Sequence, residues 1–234
     1  MLCVYAHAHK ARWLGPAKTC AAACFVLPVE EVGAFNRRWR THLLGCRFDV
    51  SRAVHWRDVA AAHETVGEAQ EALAALSHLN EAIGFMVAIR QSTWNNLDSA
   101  RRLFKTAEQF CLLRLMRLVL DRIEETNEPS PLVLTFERDL KSFGQLVRTV
   151  SQMYELDSRA TDRVQKVAFS DPRADYLFSA LDLVMHLSVA GCPTAEPPMP
   201  PTRFERHMTT EIWDDSFVEN HWASFEWSLD QAQS

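Results

Sequence analysis

The sequence predicts an α/β domain, with helices packed on the faces of a mixed central sheet. Two observations carry that expectation. Beyond residue 80, apolar runs of strand length alternate with amphipathic stretches of helical period, the rhythm of a layered α/β unit. The chain also holds only seven glycines among 234 residues, few for a barrel of many tightly turned strands. Composition agrees: 47% hydrophobic and 24% charged residues can fill one sizeable core. That sets aside a disordered chain, a collagen-like repeat and a small disulfide scaffold. Apolar runs such as CAAACFVLP at 20–28 are too short to span a bilayer.

In chain order, LCVYAHA (2–8) and CAAACFVLP (20–28) read as neighbouring strands, with Gly15 and Pro16 in the loop between them. Pro28 opens a helix that runs through Leu44, because proline suits a first turn and Glu30 and Glu31 suit its positive end. Val32, Phe35, Trp39 and Leu43 recur at helical intervals and form its inward face. AVHWRDV (53–59) reads as a short strand or turn, and a helix follows over 63–82. IGFMVAI (83–89) lacks helical polarity and predicts a buried strand. One long helix is expected over 98–125, with Leu103, Phe110, Leu113 and Leu120 on its buried face and the prolines of NEPSP ending it. A strand at 131–136, a helix at 138–154, a strand at 165–169 and a helix at 174–190 complete the body. The strands at 2–8, 20–27, 83–89, 131–136 and 165–169 are expected to share one sheet.

The predicted body spans 1–191, and 192–234 is a Pro-rich linker with an acidic, aromatic segment. Five of the ten prolines fall in PTAEPPMPP, and three of the seven tryptophans follow it. This segment carries eight acids against Arg203 and Arg206, a charge of −6, whereas the body is near neutral at +1. Trp213, Phe217 and Trp222 are candidate partner-binding residues, docking on an apolar groove of the body or of a second chain. The acidic charge should settle near Arg37, Arg38 and Arg40, or near Arg101, Arg102 and Lys105. The expected partner is therefore a protein or a second copy of this chain. Nucleic acid is less well supported, since no basic field appears. MLCVYAHAHKAR has no basic leader ahead of an apolar stretch, so a cytoplasmic protein without a membrane segment is expected.

The six cysteines form no C-x-x-C pair and read as buried reduced thiols rather than a zinc site. Neither a P-loop, a dinucleotide fingerprint nor a nucleophile elbow occurs. His7 and His9, two apart on the first strand, share a face and read as a metal-binding pair or as edge histidines near a loop. His55-Trp56-Arg57-Asp58 is a dense polar-aromatic group, functional or a turn. Glu137 ends a strand and heads a helix. It either complements that helix's dipole or stands where open sheets place ligand groups. Asp182 lies inside the apolar helix YLFSALDLVMHLSV, either turned to solvent or buried with a partner in a functional role.

These elements together resemble domain-of-unknown-function family 3800, whose members resemble ribonuclease-H-like metal nucleases. The likeness rests on VYAHAH (4–9), FVLPVEEVGAFNRRWRTHLL (25–44), AVHWRDV (53–59), LVLTFE (132–137) and SALDLVMHL (179–187). It covers roughly residues 1–191 and implies a ribonuclease-H-like sheet with Glu137, Asp182 and Asp58 as catalytic carboxylates. Such chemistry needs carboxylates around one or two Mg²⁺ or Mn²⁺ ions. Here Ala6 and His7 stand at the family's first-strand Asp-Glu, and Ser179 stands at the glutamine of its last motif. The implied metal ligands are Asp182 and Glu137, with His7 or His9 as substitutes. The resemblance thus implies a catalytically degenerate domain that acts as a binding or assembly module and needs no cofactor. The alternative it leaves is a metal-dependent nuclease or phosphoryl-transfer enzyme with an altered ligand set.

Overall fold

The computed structural model describes residues 1–8, 18–55, 58, 82–138, 143–190 and 208–232. The elements are β1 (Leu2–Ala8), β2 (Thr19–Pro28), α1 (Val29–Gly45), β3 (Ile83–Arg90), α2 (Gln91–Asn96), α3 (Asp98–Leu103), α4 (Ala107–Glu125), β4 (Leu132–Glu137), α5 (Phe143–Leu156), α6 (Ser158–Arg163), β5 (Val164–Ser170), α7 (Leu177–Ala190), β6 (Met208–Trp213) and α8 (Asp215–Ala232). The expected mixed sheet with helices on both faces is present. Its six strands run in the order β5-β4-β1-β2-β3-β6. Strands β1, β2 and β3 form an antiparallel meander, while β4 pairs parallel with β1, β5 with β4, and β6 with β3.

Strand alternation divides the core in two. Val4, Ala6 and Ala8 of β1 join Ala22, Cys24 and Val26 of β2 beneath α4, whose buried stripe includes Phe110, Leu113 and Leu120. Cys3 and Tyr5 join Ala21, Ala23, Phe25 and Leu27 on the opposite face, beneath α7 and the Phe35, Trp39 and Leu43 stripe of α1. The central strand β2 is therefore apolar throughout, as a strand covered on both faces must be. Helix α1 closes in a double-bonded turn: Arg47 takes a left-handed φ of 63°, its N–H reaches Leu44 O, and the Phe48 N–H reaches Leu43 O. The α4 terminus repeats this through Asn127, φ 50°, ahead of the prolines expected to end it.

Three expectations need correction. The helix over 98–125 is broken into α3 and α4, because Phe104 turns inward to full burial and Thr106 caps α4, its hydroxyl accepting from Gln109 N at 3.1 Å. Residues 139–142 of the helix expected over 138–154 lie outside the described residues; the helix described as α5 runs on to Leu156, and an unexpected α6, capped by the Asp157 carboxylate, follows it. The third correction is the C-terminal segment, expected as a linker with an acidic, aromatic docking segment and no strand of the sheet. Met208–Trp213 is instead a sixth strand on the edge of β3, where the absent side chain of Gly84 lets Met208 lie across it.

Trp213 is buried at 1% exposure, and Phe217 and Trp222 pack on the same core beside Phe110 and Phe225. The three candidate partner-binding residues thus complete the chain's own core. Among the described residues, two acids of this segment pair with other cations than those expected. Glu211 takes a bidentate pair with Arg114 at 2.6 and 2.8 Å, and Asp214 lies 3.9 Å from Arg90. Residues 63–81 of the helix expected over 63–82 lie outside the described residues. No helix of the described residues is long and apolar enough to cross a membrane.

Candidate functional site

The site grows from two neighbouring parallel strands. Ala6 of β1 is in register with Phe136 of β4, so the next residues, His7 and Glu137, end their strands side by side. Alternation sends Ala6 and Phe136 to the α4 face and leaves His7 on the face of α7. Of Ala6 and His7, only His7 therefore reaches the site. Opposite it on β2 is Ala23, whose short side chain admits a helix close to the sheet.

Helix α7 supplies the rest. It is apolar on nearly every side because the sheet, α1 and the 50–55 chain all cover it. Asp182 stands in its middle at 5% exposure, with His186 one turn on. The 50–55 chain is tied across the helix by two bonds: the Tyr176 hydroxyl donates to Val50 O at 3.1 Å and the Ser179 hydroxyl to Val54 O at 2.7 Å. That places His55 above Asp182. Asp58 holds it there, accepting from His55 N and from Arg52 Nη2, each at 2.9 Å.

Three imidazoles converge on the Asp182 carboxylate. His7 Nε2 lies 3.7 Å from Oδ1, His186 Nδ1 3.5 Å from Oδ1, and His55 Nδ1 3.5 Å from Oδ2. The other side of the His7 ring faces Glu137, with Nδ1 at 2.6 Å from Oε2. That approach falls outside hydrogen-bond angles, so the contact is a close ion pair. Burial works to neutralise His7, but the Asp182 and Glu137 carboxylates on either side of the ring outweigh it and lift its pKa to about 9. Burial would also raise Asp182, yet the imidazoles of His55 and His7, with His186 adding charge, hold it well below the usual carboxylate range. At neutral pH the centre is an imidazolium between two acidic side chains.

The structure therefore brings together His7, Glu137 and Asp182 from the sequence candidates. Asp58 joins them only through the backbone of His55, and His9 lies outside the described residues. Sequence reasoning marked His55 in its polar group and passed over His186, although its i+4 spacing from the buried Asp182 was a usable signal. No family profile and no curated protein matches this sequence. A divalent ion does not fit the residues as they stand. Among the described residues no three His, Cys, Asp or Glu side chains are arranged to hold a metal, and the His7 ring fills the gap between the two carboxylates.

Proposed function

We propose that this chain is a divergent ribonuclease-H-like domain with a degenerate active site, working as a binding or assembly module. One observation carries the reading: the His7 imidazolium lies between Glu137 and Asp182, where a bridging cation would have to stand. An antiparallel meander extended by two parallel strands beside β1 supports the fold assignment, as do Glu137 at a strand end and Asp182 on a covering helix. A fixed organic cation satisfies the carboxylates electrostatically but offers no vacant coordination position to activate water. In this reading the assembly element is the C-terminal β6–α8 unit. It can dock on its own chain or be exchanged with a second copy through the proline-containing stretch before it.

Titration calorimetry with Mn²⁺, paired with cleavage assays on RNA, DNA and their hybrid, tests the reading. The expected result is no saturable Mn²⁺ binding and no cleavage by the wild type, with Mn²⁺ binding gained in His7→Asp. Saturable wild-type binding together with Mn²⁺-dependent cleavage, both lost in Asp182→Ala, would instead favour the metal-dependent nuclease.

A further inference from the structure

Arg101, Arg102 and Lys105 stand out in the sequence as a cationic site waiting for an anion, whereas Glu211 and Asp214 of the acidic C-terminal segment pair with Arg114 and Arg90. Lys105 instead lines a groove of about 420 Å³ between the start of α4 and α5, on the sheet face opposite His7. That volume falls within the ~300–1,000 Å³ usual for small-molecule sites.

The walls are polar and braced. Gln109, buried, donates to Gln152 Oε1 at 2.5 Å and accepts from Lys105 N at 2.8 Å. Gln145 donates to the Thr106 hydroxyl at 3.0 Å, and Gln152 donates to Leu103 O at 3.0 Å. This network stitches α5 to the α3–α4 junction, so the groove is formed before any ligand arrives. On its rim Lys105 and Arg148 are exposed. Among the described residues neither has an ion-pair partner, although Glu155 also lines the groove.

We infer that this groove binds a phosphorylated sugar, independently of the reading given to the His7 cluster. Two cations match a phosphate monoester, which carries a charge of about −1.5 to −2 near neutral pH, better than they match a carboxylate. Arg148 supplies a planar fork for two phosphate oxygens and Lys105 a point charge. Gln145, Ser151 and Gln152 line the same groove with groups suited to sugar hydroxyls rather than to an apolar body.

Calorimetric titration of the full chain at low salt with ribose 5-phosphate, ribose and inorganic phosphate tests the inference. Ribose 5-phosphate should bind saturably and about tenfold or more tighter than either other probe, as expected when sugar and phosphate contacts add. Lys105→Ala and Arg148→Ala should each weaken it about tenfold, the loss of one charge-assisted contact. Arg122→Ala, which removes an exposed arginine at the far end of α4, should leave it unchanged. Circular dichroism should show all three variants folded, as exposed substitutions allow. Absence of saturation, equal affinity for the three probes, equal losses in all three variants, or equally tight binding of a polyglutamate peptide would each overturn the inference.

Discussion

Two buried aspartates flank the start and the middle of α7, and they shift in opposite directions. Asp175 and Asp182 are 8% and 5% exposed, so burial alone does not separate them. Burial pushes the Asp175 carboxyl above its ordinary value, because the groups around it are neutral: the Asn36 amide at 3.0 Å and the Tyr5 hydroxyl. Asp182 feels the same penalty, and three imidazoles reverse it. One acid is a structural fixture where the chain enters α7, and the other is the centre of a charged cluster. The difference lies in what β1 and the 50–55 chain present to each.

The largest effect should come from breaking the charged half of that comparison. Asp182→Ala leaves the His7 imidazolium with one carboxylate, and loss of a buried partner typically costs about 3–5 kcal/mol. Urea unfolding should show a loss of that order; a change below about 1 kcal/mol would mean that Asp182 carries no such pairing.

The next effect is in pH. His7 has a folded pKa of about 9 against an ordinary 6.5, so its contribution is complete below pH 6.5 and is lost as pH rises through 9. Asp182, lowered from 3.8, contributes above that value and loses its share as pH falls toward its folded pKa. The cluster is therefore at full strength between about pH 4 and 6.5. The alkaline loss should be on the order of 3 kcal/mol and should disappear in His7→Gln. A wild-type profile flat from pH 6 to 10 would contradict this.

Much of this arrangement was legible in the sequence. The period of β1 put His7 on one face, and the apolar surroundings of Asp182 marked it as buried or solvent-turned. The strand at LVLTFE carried Glu137 to a strand end. Other parts were hidden because their causes are non-local. Met208–Trp213 is a strand only because the β3 edge offers it hydrogen bonds, and its own six residues give no clear alternation. The break at Phe104 depends on a core that only the folded chain supplies. The carboxylate–imidazole convergence needs four chain segments at once: β1, the residues around His55, β4 and α7.

Smaller effects sharpen the comparison. Ser179→Ala removes the bond to Val54 O and should cost about 1 kcal/mol, with faster hydrogen exchange over 50–55 and little change near Asp175. Protection equal to wild type would show that His55 is held in place by other contacts. Asp175→Asn should be nearly silent or slightly stabilising at neutral pH. It removes a carboxylate that burial already disfavours while keeping an oxygen for the Asn36 amide. Thermal melts should place it within about 1 kcal/mol of wild type; a loss comparable to Asp182→Ala would erase the distinction between the two acids.

The central claim is that His7 is a resident cation between Glu137 and Asp182. An NMR titration of its imidazole tests this directly, with His7→Gln assigning the resonance. The account predicts that His7 remains protonated at pH 8 and titrates near pH 9. A ring already neutral at pH 7 would contradict it.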